Sequence, residues 1–119
     1  MKKMLPFEDY PKDFYTLFKK LDEEVKSLEF PDSGSTVSVA YIERKNGKRF
    51  LYCACIGDSR WILIRKKEDR AIRLSVDDRV ENPDEYRRII KQGGVIFNGR
   101  IYRTLMLSRC FGDMMKKKI

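Results

Sequence analysis

The apolar pattern of this chain changes period at Pro31, and that change restricts its fold more than any other feature. Before it, Phe14, Leu17, Phe18, Leu21, Val25 and Leu28 recur at three- and four-residue steps, the spacing of one face of an α-helix. Pro11 suits a first helical turn and Pro31 a stop, so a helix is predicted over 11–29. Its stripe reads as a core face rather than a partner site, because most amphipathic helices pack on their own domain. From Ser33 onward the pattern has period two or breaks into short apolar runs. Residues 37–42 and 50–56 read as strands about an Asn46-Gly47 turn. Shorter strands are predicted over 61–65 and 71–74, with Glu68-Asp69 at the turn. Pro83-Asp84-Glu85 opens a second helix over 83–92, which Gly93-Gly94 ends. Residues 95–97 and 100–103 form another hairpin signal about Asn98-Gly99, and 105–107 continue extended. Helix, strands, helix, strands lacks the regular alternation of a parallel βαβ fold. The predicted class is α+β, an antiparallel β-sheet with two helices.

A chain of 119 residues allows one domain, with the ends, about 1–10 and 114–119, expected to fray. Hydrophobic residues make up 42% and charged residues 37%, a globular rather than a disordered balance. There is no histidine, which excludes Ser-His-Asp and Cys-His triads, histidine-ligated zinc and imidazole acid–base chemistry. Catalysis would fall to carboxylates, Lys, Tyr, Cys or a metal held by oxygen ligands. Cys53, Cys55 and Cys110 are odd in number and lack zinc-finger spacing. They read as reduced thiols in a cytoplasmic or nuclear protein. Met1-Lys2-Lys3-Met4-Leu5-Pro6 opens no signal-peptide h-region. No apolar run is long enough to span a membrane. The formal net charge is +8, carried by the part after residue 30. The Lys and Arg are scattered and no aromatic-rich nucleic-acid motif accompanies them, so a nucleic-acid module is the weakest reading.

Two segments are not explained by periodicity: Gly57-Asp58-Ser59-Arg60 and Ser108-Arg109-Cys110-Phe111-Gly112-Asp113. Each sets an Asp beside a Gly at the end of an apolar run, where it can cap a turn, pair with an Arg or hold a metal. The local pattern favours the turn or ion-pair role. Further motifs stand in order around them. Leu17-Phe18 and Leu21-Asp22 precede Gly34-Ser35-Thr36. Leu74-Ser75 and Asp77-Asp78 follow, then Asn82-Pro83, Glu85, Arg88-Ile89 and Gly93-Gly94-Val95.

Together these motifs resemble the protein phosphatase 2C family, the PPM-type metal-dependent Ser/Thr phosphatases, over about residues 14–113. Asp78 stands where the family has a His. The resemblance implies the middle half of an αββα sandwich. It also implies a pair of Mg²⁺ or Mn²⁺ ions, held by carboxylates and waters, that activate an attacking water. Asp113 matches the family's Gly-Asp metal ligand, and Asp58 the aspartate near a weaker third metal. Gly34, Ser35, Thr36, Gly57, Ser59, Arg60, Ser108, Arg109 and Gly112 match structural motif positions. The family's upstream acidic ligand and Asp-Gly-His-Gly motif have no counterpart here. Neither do its Asp-Gly-hydrophobic-Trp-Asp segment and final Asp-Asn pair. With most metal ligands absent, the expectation is a phosphatase domain portion that is inactive alone, so no residue is assigned a catalytic role. The alternative is a pseudophosphatase-type module that binds a phosphoprotein or other protein partner. Exposed sheet edges and apolar faces predict a homodimer or larger assembly, or a rearranged compact fold.

Arg60 and Arg109 read as structural partners of nearby carboxylates rather than phosphate ligands. Trp61 reads as filling space, with a partner anchor as the functional reading. Asp77 and Asp78 read as solvated turn acids, residues 116–118 as a frayed basic tail, and Cys55 and Cys110 as packed thiols.

Overall fold

The computed structural model describes residues 9–117. Helix α1 spans Tyr10–Lys26. Asp9 caps it by accepting the Lys12 N–H, and the Asp13 carboxylate accepts the Asp9 N–H in return, a reciprocal cap of the capping-box kind. The helix ends before the expected 29. Ser27 turns its hydroxyl back onto the Glu24 carbonyl and Glu29 takes a left-handed φ of 58°. Leu28, read as part of the apolar stripe, therefore lies beyond the helix and is exposed.

The strands follow as β1 Gly34–Ser35, β2 Val37–Lys45, β3 Lys48–Ile56, β4 Ile62–Arg65 and β5 Arg70–Arg73. Then come helix α2 Pro83–Lys91 and strands β6 Ile96–Phe97, β7 Arg100–Ile101 and β8 Phe111–Gly112. All pairing is antiparallel: β1 with β8, β2 with β3, β4 with β5, β6 with β7. Among the described residues, the expected antiparallel sheet is therefore four separate two-stranded ribbons. The β2–β3 hairpin runs longer than predicted because Asn46 and Gly47 both take positive φ, 52° and 73°. That two-residue turn matches strand twist and lets pairing continue to its edge. Asn98 and Gly99 repeat the device between β6 and β7. Strand β8 escaped the sequence reading because a two-residue strand has no periodicity.

Helix α2 begins at an Asn82 cap that accepts the Asp84 N–H at 3.0 Å, with Pro83 in the first turn. It ends as the Gly pair predicted: Gly93 N–H reaches the Ile90 carbonyl and Gly94 N–H the Ile89 carbonyl, with Gly93 left-handed. Ile89 buries against Val80 and Ile101, flanked by Ile96 and Leu105. A second apolar centre joins Phe14 and Phe18 of α1 to Phe111 of β8, the last two rings meeting edge-on at 5.6 Å.

Both centres are small, and no described side chain is less than 2% exposed. The chain exposes 9422 Å², against about 6,800 Å² for a compact monomer of its mass. Its radius of gyration is 16.6 Å, against about 13.5 Å for a globule of this length. The excess includes apolar strand faces: Ile64 is 73% and Ile42 65% exposed.

Candidate functional site

The sequence motifs converge on two clusters. The first is built where the loop after β3 meets the segment before α2. Asp78 stitches it together. Its side chain accepts the Gly57 N–H at 2.9 Å, its own N–H reaches the Gly57 carbonyl, and its carbonyl accepts the Ser108 N–H. Burial pushes the Asp78 carboxyl above its usual range, against the Gly57 N–H and Arg109, which favour its ionised form. Asp77 pairs with both Arg60 and Arg73. The Arg60 hydrogen bond, opposed by desolvation, holds its carboxyl below the usual range. Neither acid is the solvated turn residue expected. Their side chains are 15% and 20% exposed, because the segment before α2 folds back onto the loop after β3 instead of facing water.

Glu85 is the centre of this cluster and is only 7% exposed. Arg109 grips it with two bonds, Nε to Oε2 at 3.0 Å and Nη2 to Oε1 at 2.7 Å. Arg88 adds Nη2 to Oε2 at 2.8 Å and spans to the Ser108 carbonyl. Burial works against ionisation of Glu85, but the Arg88 and Arg109 bonds outweigh it and hold the carboxyl down to about 2. Arg60 and Arg109 thus each pair with a carboxylate, Asp77 and Glu85 respectively. Asp58 takes two bonds from Arg79 on one oxygen, at 2.9 and 2.7 Å.

The second cluster lies where α1 meets β1 and β8. Gly34 faces Gly112 in register. A Cβ on Gly34 would fall 1.9 Å from Asp113 Oδ2, so the bare glycine makes room for that carboxylate. Asp113 itself is 7% exposed with a left-handed φ of 51°. Its N–H reaches the Ser33 carbonyl at 2.7 Å. Oδ1 accepts from Lys116 Nζ at 3.2 Å and Oδ2 from the Cys110 thiol at 3.5 Å. Asp22 of α1 accepts the Gly112 N–H and, on both oxygens, Lys117 Nζ.

A polar seam joins the clusters. The Thr36 and Ser59 hydroxyls meet at 2.6 Å, while Ser35 bonds its neighbour's carbonyl. Gly57 packs on Thr36, whose methyl would lie 2.4 Å from a Cβ there.

Gly34, Thr36, Gly57, Ser59, Ser108, Arg109 and Gly112 are therefore brought together as a scaffold. The two candidate metal ligands have different partners: Asp58 is bonded by Arg79, and Asp113 by Lys116 and Cys110. Sequence reasoning assigned Asp22 only to a helix motif and missed its part in the second cluster. Its place beside the Leu21 of the apolar stripe was the available signal. Lys116 and Lys117 were expected to fray and instead hold carboxylates; Lys118, and residues 1–8 at the other end, lie outside the described residues. Trp61 is half-buried, its backbone bonded to Ser75 and Leu74.

All three cysteines are free. Burial and the adjacent Asp113 push the Cys110 thiol up to about 11. With so little thiolate at pH 8, Cys110 is expected to react with iodoacetamide about 100-fold more slowly than an unperturbed thiol. Mass spectrometry of a time course checks this, and alkylation of Cys110 at the ordinary rate would contradict it.

A family model for protein phosphatase 2C matches residues 2–119. The chain belongs to the protein phosphatase 2C family. Among similar relatives is "Probable protein phosphatase 2C 60" of Arabidopsis thaliana, 42% identical over 88 residues, which are 74% of this chain and 23% of that protein. "Protein phosphatase 2C 1" of Paramecium tetraurelia is 40% identical over 72% of this chain and 27% of its own length. "Protein phosphatase 2C homolog 1" of Schizosaccharomyces pombe is 36% identical over 72% and 25%. The chain spans about a quarter of the length of the curated relatives it matches.

The protein phosphatase 2C resemblance implies Mg²⁺ or Mn²⁺ on clustered carboxylates. The described residues do not fit that pair of ions. Among them, no group of three or more His, Cys, Asp or Glu side chains is placed to hold a metal, and Asp22, Asp58, Glu85 and Asp113 are held by this chain's own lysines and arginines. No helix among the described residues is long and apolar enough to cross a membrane.

Proposed function

We propose that this chain supplies the middle portion of a protein Ser/Thr phosphatase domain and does not hydrolyse phosphate esters by itself. Support for the family comes from the match over residues 2–119. The observation that carries the mechanistic half is the state of the two acids assigned as metal ligands. Asp113 is held by Lys116 and Asp58 by Arg79, and most of the coordination would otherwise fall to water. Mg²⁺ and Mn²⁺ depend on carboxylates to pin them, and phosphate-ester hydrolysis is extremely slow without catalysis. In a complete domain Asp113 would be the firm ligand and Asp58 a peripheral one.

A chimera tests this assignment. Residues 34–113 are placed in the corresponding segment of the S. pombe relative. Mn²⁺-dependent phosphatase activity that disappears on Asp113→Ala is the expected result. A folded chimera that is inactive would refute it and favour the second reading, a pseudophosphatase-type module that binds a protein partner in an intracellular setting.

That second reading draws on the exposed apolar faces. Ile42 and Leu51 pair across the β2–β3 ribbon and both are exposed, as are Ile62 and Ile64 of β4. Apolar surface of this extent, beside unpaired strand edges, favours association. The chain is expected to run as a dimer or larger assembly in size-exclusion chromatography with light scattering. A clean monomer throughout a dilution series would count against it.

A further inference from the structure

We infer that the basic tip of the β2–β3 hairpin docks on the acidic end of α1 in a second copy of this chain, so that copies associate head to tail. The inference rests on the self-association expected under Proposed function and goes beyond it by naming both surfaces.

The tip is charged in a way that the hairpin alone does not favour. Arg44 faces Arg49 and Lys45 faces Lys48 across the two strands, and like charges directly opposite each other are destabilising. Residues 44–49 hold these four cations and no acid. Among the described residues, no carboxylate forms an ion pair with any of them. The β4–β5 turn differs, since there Glu68 answers Arg65 at 3.0 Å. Ile42 and Leu51 are the next pair along the face that carries Arg44 and Arg49, and both are exposed. The other face, with Tyr41 and Tyr52, carries Tyr10 of α1. A partner that fits the exposed face is therefore apolar and acidic at once.

Residues 23–32 of the same chain have that chemistry. Glu23, Glu24, Glu29 and Asp32 stand there against one base, Lys26. Leu28 and Phe30 lie between the acids, 58% and 68% exposed. This arrangement is also locally unfavourable, because Glu23 and Glu24 sit in the last turn of α1, at the negative end of the helix dipole. The two surfaces lie at opposite ends of the chain. Helix α1 starts beside the middle of the hairpin, where Tyr10 stacks on Tyr52. It ends past the hairpin's base, where Asp22 bonds Gly112 opposite Gly34. The tip points the other way. Contact between unlike surfaces builds rings or open rows of copies rather than a two-fold dimer.

The test is sedimentation velocity of the 119-residue chain over a dilution series, with two charge-reversed variants. Arg44→Glu with Arg49→Glu makes the tip acidic and keeps the same like-charge opposition within the hairpin. Glu24→Lys with Glu29→Lys makes the end of α1 basic. Far-UV circular dichroism confirms that each variant keeps its fold. The parent is expected to associate in about 50 mM NaCl and at least about tenfold more weakly in about 500 mM, where charges are screened within a few ångströms. Each variant alone should associate at least about tenfold more weakly than the parent, since like charges then meet. An equimolar mixture of the two should regain association, because a tip of either sign then finds an end of the opposite sign. Equal association by parent and variants, or no recovery in the mixture, overturns the inference and leaves self-association through the apolar faces standing. A parent that stays monomeric at both salt concentrations overturns both. A short DNA duplex then retarded by the parent, but not by the tip variant, would make a polyanion the occupant of the tip.

Discussion

Glu85→Gln is expected to destabilise the chain by about 2–3 kcal/mol, a large share of the roughly 5–15 kcal/mol that holds a domain together. Glu85 is buried and answers two guanidinium groups at once, Arg88 and Arg109. Those arginines come from α2 and from the segment leading into β8, so one carboxylate ties the helix to the stretch that runs through β8 to Asp113. The amide of Gln accepts fewer bonds, carries no charge, and leaves both guanidinium groups facing a neutral partner. Both are partly exposed, and water relieves part of that penalty, which keeps the expected loss below that of a fully buried pair. The pH dependence has a definite sign. The folded-state value is depressed to about 2 from an ordinary 4.5. The stabilisation is therefore fully present above about pH 4.5 and is lost as pH falls toward 2. Asp77, also held down by Arg60, acts in the same direction. Asp78 acts in the opposite one: burial raises its carboxyl, so its ionisation costs stability as pH rises through its ordinary value. Urea denaturation of parent and Glu85→Gln between pH 2.5 and 7 measures this. The difference should shrink at the acid end. A midpoint unmoved by the substitution at pH 7 would show that the network carries no stability.

Gly112→Ala is expected to cost about 3 kcal/mol or more, through strain rather than lost contacts. Gly112 has a φ of +68°, and an added Cβ would fall 2.2 Å from the Ser33 carbonyl oxygen. Neither obstacle can move cheaply, since the clash is with backbone and the conformation is left-handed. The same strand carries Phe111 onto Phe18 and positions Asp113. Gly34→Ala should be comparably disruptive, because its Cβ would displace the Asp113 carboxylate. Gly47→Ala is the control. Nothing lies within 4 Å of its added carbon, so it carries only the cost of its φ of +73°, about 1 kcal/mol. Thermal unfolding that ranks Gly47→Ala as the most damaging of the three would contradict this picture.

The elements whose cause is local were legible in the sequence. Asn46-Gly47, Asn98-Gly99 and Gly93-Gly94 act through backbone conformations that their own residues select. Both helix starts were marked by a proline, Pro11 and Pro83. What depends on distant parts of the chain was hidden. Nothing near Asp77 and Asp78 in sequence announces Arg60, Gly57 or Ser108, so both acids read as exposed. Lys117 looked like part of a solvated run, since a local charge count cannot see Asp22 some ninety residues earlier. The Gly-Asp motifs singled out Asp58 and Asp113 for attention. Whether such an Asp meets a metal or a cation of its own chain is decided by tertiary packing, and here Arg79 and Lys116 are the neighbours found.

The central claim is that a chain with the protein phosphatase 2C scaffold, but with its acids held by its own basic residues, does not catalyse by itself. Its most direct test is release of phosphate from a phosphothreonine peptide by the purified 119-residue chain with Mn²⁺, beside Asp113→Ala prepared in the same way. The account predicts that the two release phosphate at the same background rate. Mn²⁺-dependent turnover by the parent that Asp113→Ala abolishes would contradict it.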